Sequence, residues 1–247
     1  NFGYSEGRST DSFDEFSYIA SNADVLALYG INDGAAATAH YVSTGYAAGK
    51  SLDSFDDLGY VASYADLIGA FGTDTTAASS HYFANGVSEG RSFDLFDEAS
   101  YLASHEDLLT AFGSNTTSAL VHYVEKGYRE GRSKDLFDEN SYLASNLDLL
   151  EFFGKNTTSA IEHYINFGFT EGRITDSFNE FSYIASNSDL VSEFGVDDGA
   201  AATAHYVEIG YSIGKAKDTF DEYGYIASYD DLITAFGTNT LEATKHY

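Results

Sequence analysis

Histidine, aspartate, serine and arginine recur in this chain at fixed spacings, and each could do chemistry. A histidine precedes tyrosine at His40, His81, His122, His163, His205 and His246. Imidazole can bind a metal or move a proton near neutral pH. Steps of 41 or 42 residues separate the six. In stacked modules neighbouring imidazoles would then lie roughly 10 Å apart, whereas zinc ligands must reach within about 2.3 Å of one ion. The only other histidine is His105, so packing or hydrogen bonding is the expected role of the six. Acids recur in pairs three residues apart, as in Asp94 with Asp97 and Asp135 with Asp138. Calcium takes carboxylate oxygens, and these four aspartates are the calcium candidates. The fixed glycine and alternating aspartates of calcium loops are absent, and a helix cap explains the pairs without an ion. No other metal and no cofactor is expected.

A catalytic site needs a unique constellation of acid, base or nucleophile. Here nearly every notable polar residue recurs six times. There is no phosphate-binding glycine loop, no serine nucleophile elbow and no metalloprotease helix. With no cysteine, thiolate chemistry and disulfides are excluded. The chain is expected not to be an enzyme.

The elements that carry these residues are the repeats themselves. Cutting after each His-Tyr pair gives modules 1–41, 42–82, 83–123, 124–164, 165–206 and 207–247. Modules one and five match closely, as do two and six, so a four-module block repeats. Each module predicts three short helices. The first is capped by Asp14 and its counterparts Asp56, Asp97, Asp138, Asn179 and Asp221. The second opens at a Ser-x-x-Asp capping box, as in Ser104 with Asp107. It closes at a left-handed glycine such as Gly113. The third is capped by Asp33, Asp74, Asn115, Asn156, Asp198 or Asn239 and is expected to stop at Gly127 and its equivalents. Glu130-Gly-Arg132 follows; its arginine could pair with the glutamate or lie on a ring of the next module. The extra residue of modules one and five falls just before the third cap. No strand alternation is present. The expected fold is therefore all-α, a solenoid-like tandem array in which short helices become stable by stacking.

The formal net charge of −27 makes nucleic acid an improbable partner, because phosphate binding needs clustered lysine and arginine. No apolar run approaches membrane-spanning length, so no membrane insertion is expected of this segment. The chain opens and closes in mid-module and reads as an excerpt of a longer array. Tyrosine and phenylalanine number 20 and 19. Those at fixed module positions are expected in the core. Phe16, Phe93, Tyr223 and Tyr229 vary between modules and are candidates for surface contacts.

Module four displays the whole motif: Phe137-Asp138, Tyr142-Leu-Ala-Ser-Asn146, Asp148-Leu149, Gly154, His163-Tyr164, Gly168 and Glu171-Gly-Arg173. It resembles a tandem module of long secreted or cell-surface bacterial proteins. That module is often found beside calcium-binding nonapeptide repeats or in proteins linked to polysaccharide synthesis. Modules one and five depart from the motif at Ala48-Gly-Lys50 and Ile213-Gly-Lys215. The resemblance implies an extracellular or cell-surface structural segment and assigns no catalytic residue. The expected function is a filament, surface layer or adhesive stalk built by stacking and self-association, its partner being the chain itself. The alternative is a repeat module that binds surface polysaccharide or protein.

Overall fold

The computed structural model describes residues 13–30, 33–195 and 198–247. The extra residues of modules one and five, and the opening segment 1–12, lie outside them. The described residues are all-α, with no strand.

Module four shows how the sequence builds the unit. Asp138 takes extended geometry, and its Oδ1 accepts from Ser141 N at 3.0 Å, which starts helix Glu139–Ser145. The second helix, Leu147–Phe153, ends at Gly154. Its φ of 60° and ψ of −133° are open only to glycine, but this is not the left-handed cap expected. Asn156 Oδ1 accepts from Ser159 N at 3.0 Å and starts the third helix, Thr157–His163. These helices are six or seven residues long in every module, too short to stand alone in water.

The third helix does not stop at Gly168 as expected. It widens into a π turn, Tyr164–Gly168, and runs on through Phe169–Glu171. It ends at Gly172, which is left-handed at φ 68°, with Arg173 N donating to Gly168 O at 2.9 Å. Such turns are rare and occur as single bulges within α-helices. The Tyr142 ring packs against this one, its hydroxyl occupying the space a Cβ on Gly168 would need. The cut after Tyr164 thus falls inside one continuous helix. In structural terms the repeat runs from Phe-Asp to Gly-Arg or Gly-Lys.

The chain forms two compact units. One comprises Asn1–Tyr101 with Asn115–Lys134, the other Leu102–Ser114 with Asp135–Tyr247. In the first, helix Glu15–Ala20 packs on Gly34–His40 of its own module and on Thr75–His81 of the next. Helix Asp57–Ser63 does the same with Thr75–His81 and Thr116–His122. In the second, Glu139–Ser145 packs on Thr157–His163 and Gly199–His205, and Glu180–Ala185 on Gly199–His205 and Thr240–His246. Within each unit the stacking is solenoid-like: a first helix is sandwiched between two successive third helices. At the core lie fully buried tyrosines, Tyr18, Tyr60 and Tyr101 in one unit and Tyr142 and Tyr183 in the other. Phe16 belongs to this core and not to the surface: it is half-buried and packs on Phe83.

Candidate functional site

Each of the six histidines bonds the core tyrosine of its own repeat through Nδ1. The distances are 2.8 Å for Tyr18–His40, 3.0 Å for Tyr60–His81 and Tyr101–His122, 2.9 Å for Tyr142–His163, and 2.8 Å for Tyr183–His205 and Tyr225–His246. The π turn makes room for the hydroxyl that completes the bond. Burial pushes the Tyr142 hydroxyl up to about 12, so it stays protonated and is no base. The six pairs use the same atoms in every repeat, and the phenol is fully buried in all but Tyr225.

Two of the four calcium candidates, Asp97 and Asp138, cap a first helix. Asp97 Oδ1 accepts from Ser100 N at 2.8 Å. Asp138 accepts from Ser141 N at 3.0 Å and from Ser141 Oγ at 3.1 Å. Asp94 is exposed, shares an open depression with Asp97 and Glu98, and has its backbone N 3.5 Å from Ser92 Oγ. Asp135 is exposed beside Phe137 in sequence. Among the described residues no three His, Cys, Asp or Glu side chains are disposed to hold a metal ion.

The Ser-x-x-Asp box does not form. Ser104 Oγ instead accepts from Leu136 N at 2.7 Å and Phe137 N at 3.1 Å, in the chain leading to the next first helix. Ser145 does the same with Ser177 N and Phe178 N, and Ser186 with Thr219 N and Phe220 N. Asn146, in the N-cap position, holds the link between repeats: its Nδ2 donates to Tyr142 O and to Ile174 O, both at 2.8 Å. The box aspartate pairs with the cation at the end of the third helix, as in Asp148–Arg173 at 2.7 Å, Asp66–Arg91 at 2.8 Å and Asp24–Lys50 at 2.6 Å. Lys50 and Lys215 therefore keep the aspartate contact, while the pair to glutamate is confined to repeats with Glu-Gly-Arg, such as Glu130–Arg132 at 2.7 Å. The guanidinium beside Asp148 holds that carboxyl below its usual range. Arg91 also lies over a ring, but that of Tyr64 at 4.7 Å.

A further constellation escaped the sequence reading. Eleven residues beyond the tyrosine of His-Tyr, the link turns back over the aromatic pair of its own repeat. Phe93 covers Phe55 and Tyr82 there, with ring centroids 5.6 and 6.1 Å away. Lys134 lies over Phe96 and Tyr123, and its Nζ donates to Ala62 O at 2.9 Å. Lys217 lies over Phe178 and donates to Ala144 O at 3.1 Å. Burial lowers the pKa of both ammonium groups. In the repeat of module four the same position is Thr175. A pocket of about 260 Å³ is present, lined among others by Ala103, Glu106, Phe137, Asp138, Tyr164 and Thr175. The eleven-residue offset was the available signal, but it matters only once the stacking is known.

No family model, no curated protein and no solved structure matches this chain.

Proposed function

We propose that the chain is a structural segment of an extracellular bacterial repeat protein, serving a filament, surface layer or adhesive stalk by module stacking and self-association. One observation carries this reading. Among the described residues the recurrent polar side chains join the helices of a repeat or link one repeat to the next. Histidine bonds tyrosine, aspartate caps a helix or pairs with a basic tail, and serine holds the start of the next repeat. The acidic composition and the resemblance to surface modules support an extracellular setting. Sedimentation velocity across a concentration series tests self-association. Species that grow with concentration are expected; a single monomeric boundary throughout contradicts the reading.

A second reading has its own support. Phe152 and Phe167 are 81% and 59% exposed. Phe167 lines an open groove with Phe153, Ser159, Glu162, His163 and Asn166. Exposed rings beside hydrogen-bonding groups suit a sugar face. Calorimetric titration with neutral and acidic surface glycans tests this alternative: saturable heat supports it, and no heat with any glycan removes it.

A further inference from the structure

The phenylalanine that begins each repeat and the tyrosine of its His-Tyr pair form a recurring floor within this chain. Phe96–Tyr123, Phe137–Tyr164 and Phe178–Tyr206 stack with centroids 4.6, 4.6 and 4.7 Å apart and interplanar angles of 30°, 24° and 30°. Over the first and third floors sits a lysine ammonium that reaches the carbonyl end of a neighbouring first helix, at Ala62 or Ala144. Over the second there is none, because Thr175 is too short to cross it. The alanine equivalent to those two, Ala103, lines the pocket left there.

The second floor differs from its sisters in one more respect. Glu106 lines its pocket, where the equivalent residues at the lysine-covered floors are Ala65 and Leu147. Its charge is felt at the floor, since the Tyr164 hydroxyl is pushed up first by burial and then by Glu106. Asp138 and Asp176 stand on the same lining. Of these three floors, the one without a lysine has thus gained a carboxylate.

We propose that the pocket over Phe137 and Tyr164 binds a primary alkylammonium group from outside the chain, in the place that Lys134 and Lys217 fill elsewhere. The chemistry is the same in each part. Ring faces attract a cation, and the carbonyl end of helix Glu98–Ala103 carries partial negative charge. Glu106 and Asp138 add full charge, and the alkyl stem lies on the rings as a lysine stem does. An ammonium has three donors for carbonyl and carboxylate oxygens. A quaternary ammonium has none and should bind poorly, and a neutral alcohol lacks the charge. The group could come from a free amine or from a lysine of another chain.

The test uses the whole 247-residue chain and n-butylammonium, which copies the lysine stem and head. Binding is followed by calorimetry and by NMR of the Tyr164 and Phe137 rings. Saturable binding is expected, with 1-butanol and tetramethylammonium inert. Thr175→Lys should fold at least as stably as the parent, because it restores the covering of the sister repeats. It should weaken amine binding by about tenfold or more. Glu106→Leu, which copies Leu147, should weaken it too. A capped lysine amide that binds as well as butylammonium marks a lysine-bearing partner as the source; binding confined to the free amine marks a small amine. A flat titration with butylammonium, a response to calcium alone, or undiminished binding by Thr175→Lys overturns the proposal.

Discussion

The residue-scale device of this chain is the tyrosine, histidine and glycine triplet. Tyr142 hydroxyl bonds His163 and sits where a side chain on Gly168 would be. Gly168→Ala should therefore cost about 1–3 kcal/mol by overpacking. Tyr142→Phe should cost about 1 kcal/mol for the lost hydrogen bond. Combined, the two should cost clearly less than their sum, because removing the hydroxyl makes room for the methyl. Urea denaturation of the four proteins measures this coupling, and strict additivity contradicts the geometry. A second residue-scale expectation concerns pH. Burial pushes the half-buried Asp57 carboxyl up to about 6, the Ser79 hydroxyl bond pulls it back, and Asp53, Asp14 and Asp56 add repulsion. A carboxyl raised on folding favours the protonated form. Its stabilising contribution is fully present below the unfolded value of about 4 and is lost as pH rises through about 6. Carboxyls such as Asp66, lowered by Arg91, act in the opposite sense, so the difference between proteins is the readout. The Tm advantage of Asp57→Asn over the parent should grow from pH 4 to pH 7; a constant difference contradicts it.

At the scale of the element, what could be read from sequence was what is local. The first and third helix caps were legible because a cap and the amide that donates to it lie within three residues, as with Ser118 N donating to Asn115 Oδ1 at 2.9 Å. The second-helix box was misread because Ser104 and Asp148 have partners about thirty residues away, and nothing in a short motif distinguishes a cap from a staple. The π turn was missed for a related reason. The ring packed against it belongs to another helix, so the glycine at its end looked like a stop. The staple gives a test at this scale. Ser104→Ala leaves the Leu136 and Phe137 amides without their acceptor and should cost about 1–3 kcal/mol. Hydrogen exchange should quicken at these two amides first; unchanged exchange there contradicts the assignment.

For the molecule as a whole, repetition made the all-α class and the stacking legible, while the covering of each aromatic floor was not. Lys134 and Thr175 occupy equivalent positions and look interchangeable until Ala62 and Ala103 are known to lie across from them. Stacking also sets where stability is lowest in this chain. Tyr225 is half-buried where Tyr18, Tyr142 and Tyr183 are fully buried, since its helix, Glu222–Ala227, has no third helix of a following repeat packed on it in this chain. Exchange should therefore be faster in the sixth module than in the fifth, and the reverse order contradicts nearest-neighbour stacking. The most direct test of the proposed role is electron microscopy of the purified protein, with and without calcium chelation. Ordered fibres or lattices are expected in both conditions, because the joints described here are hydrogen bonds and ion pairs between the chain's own groups. Isolated, unassociated particles in both conditions contradict an assembly role.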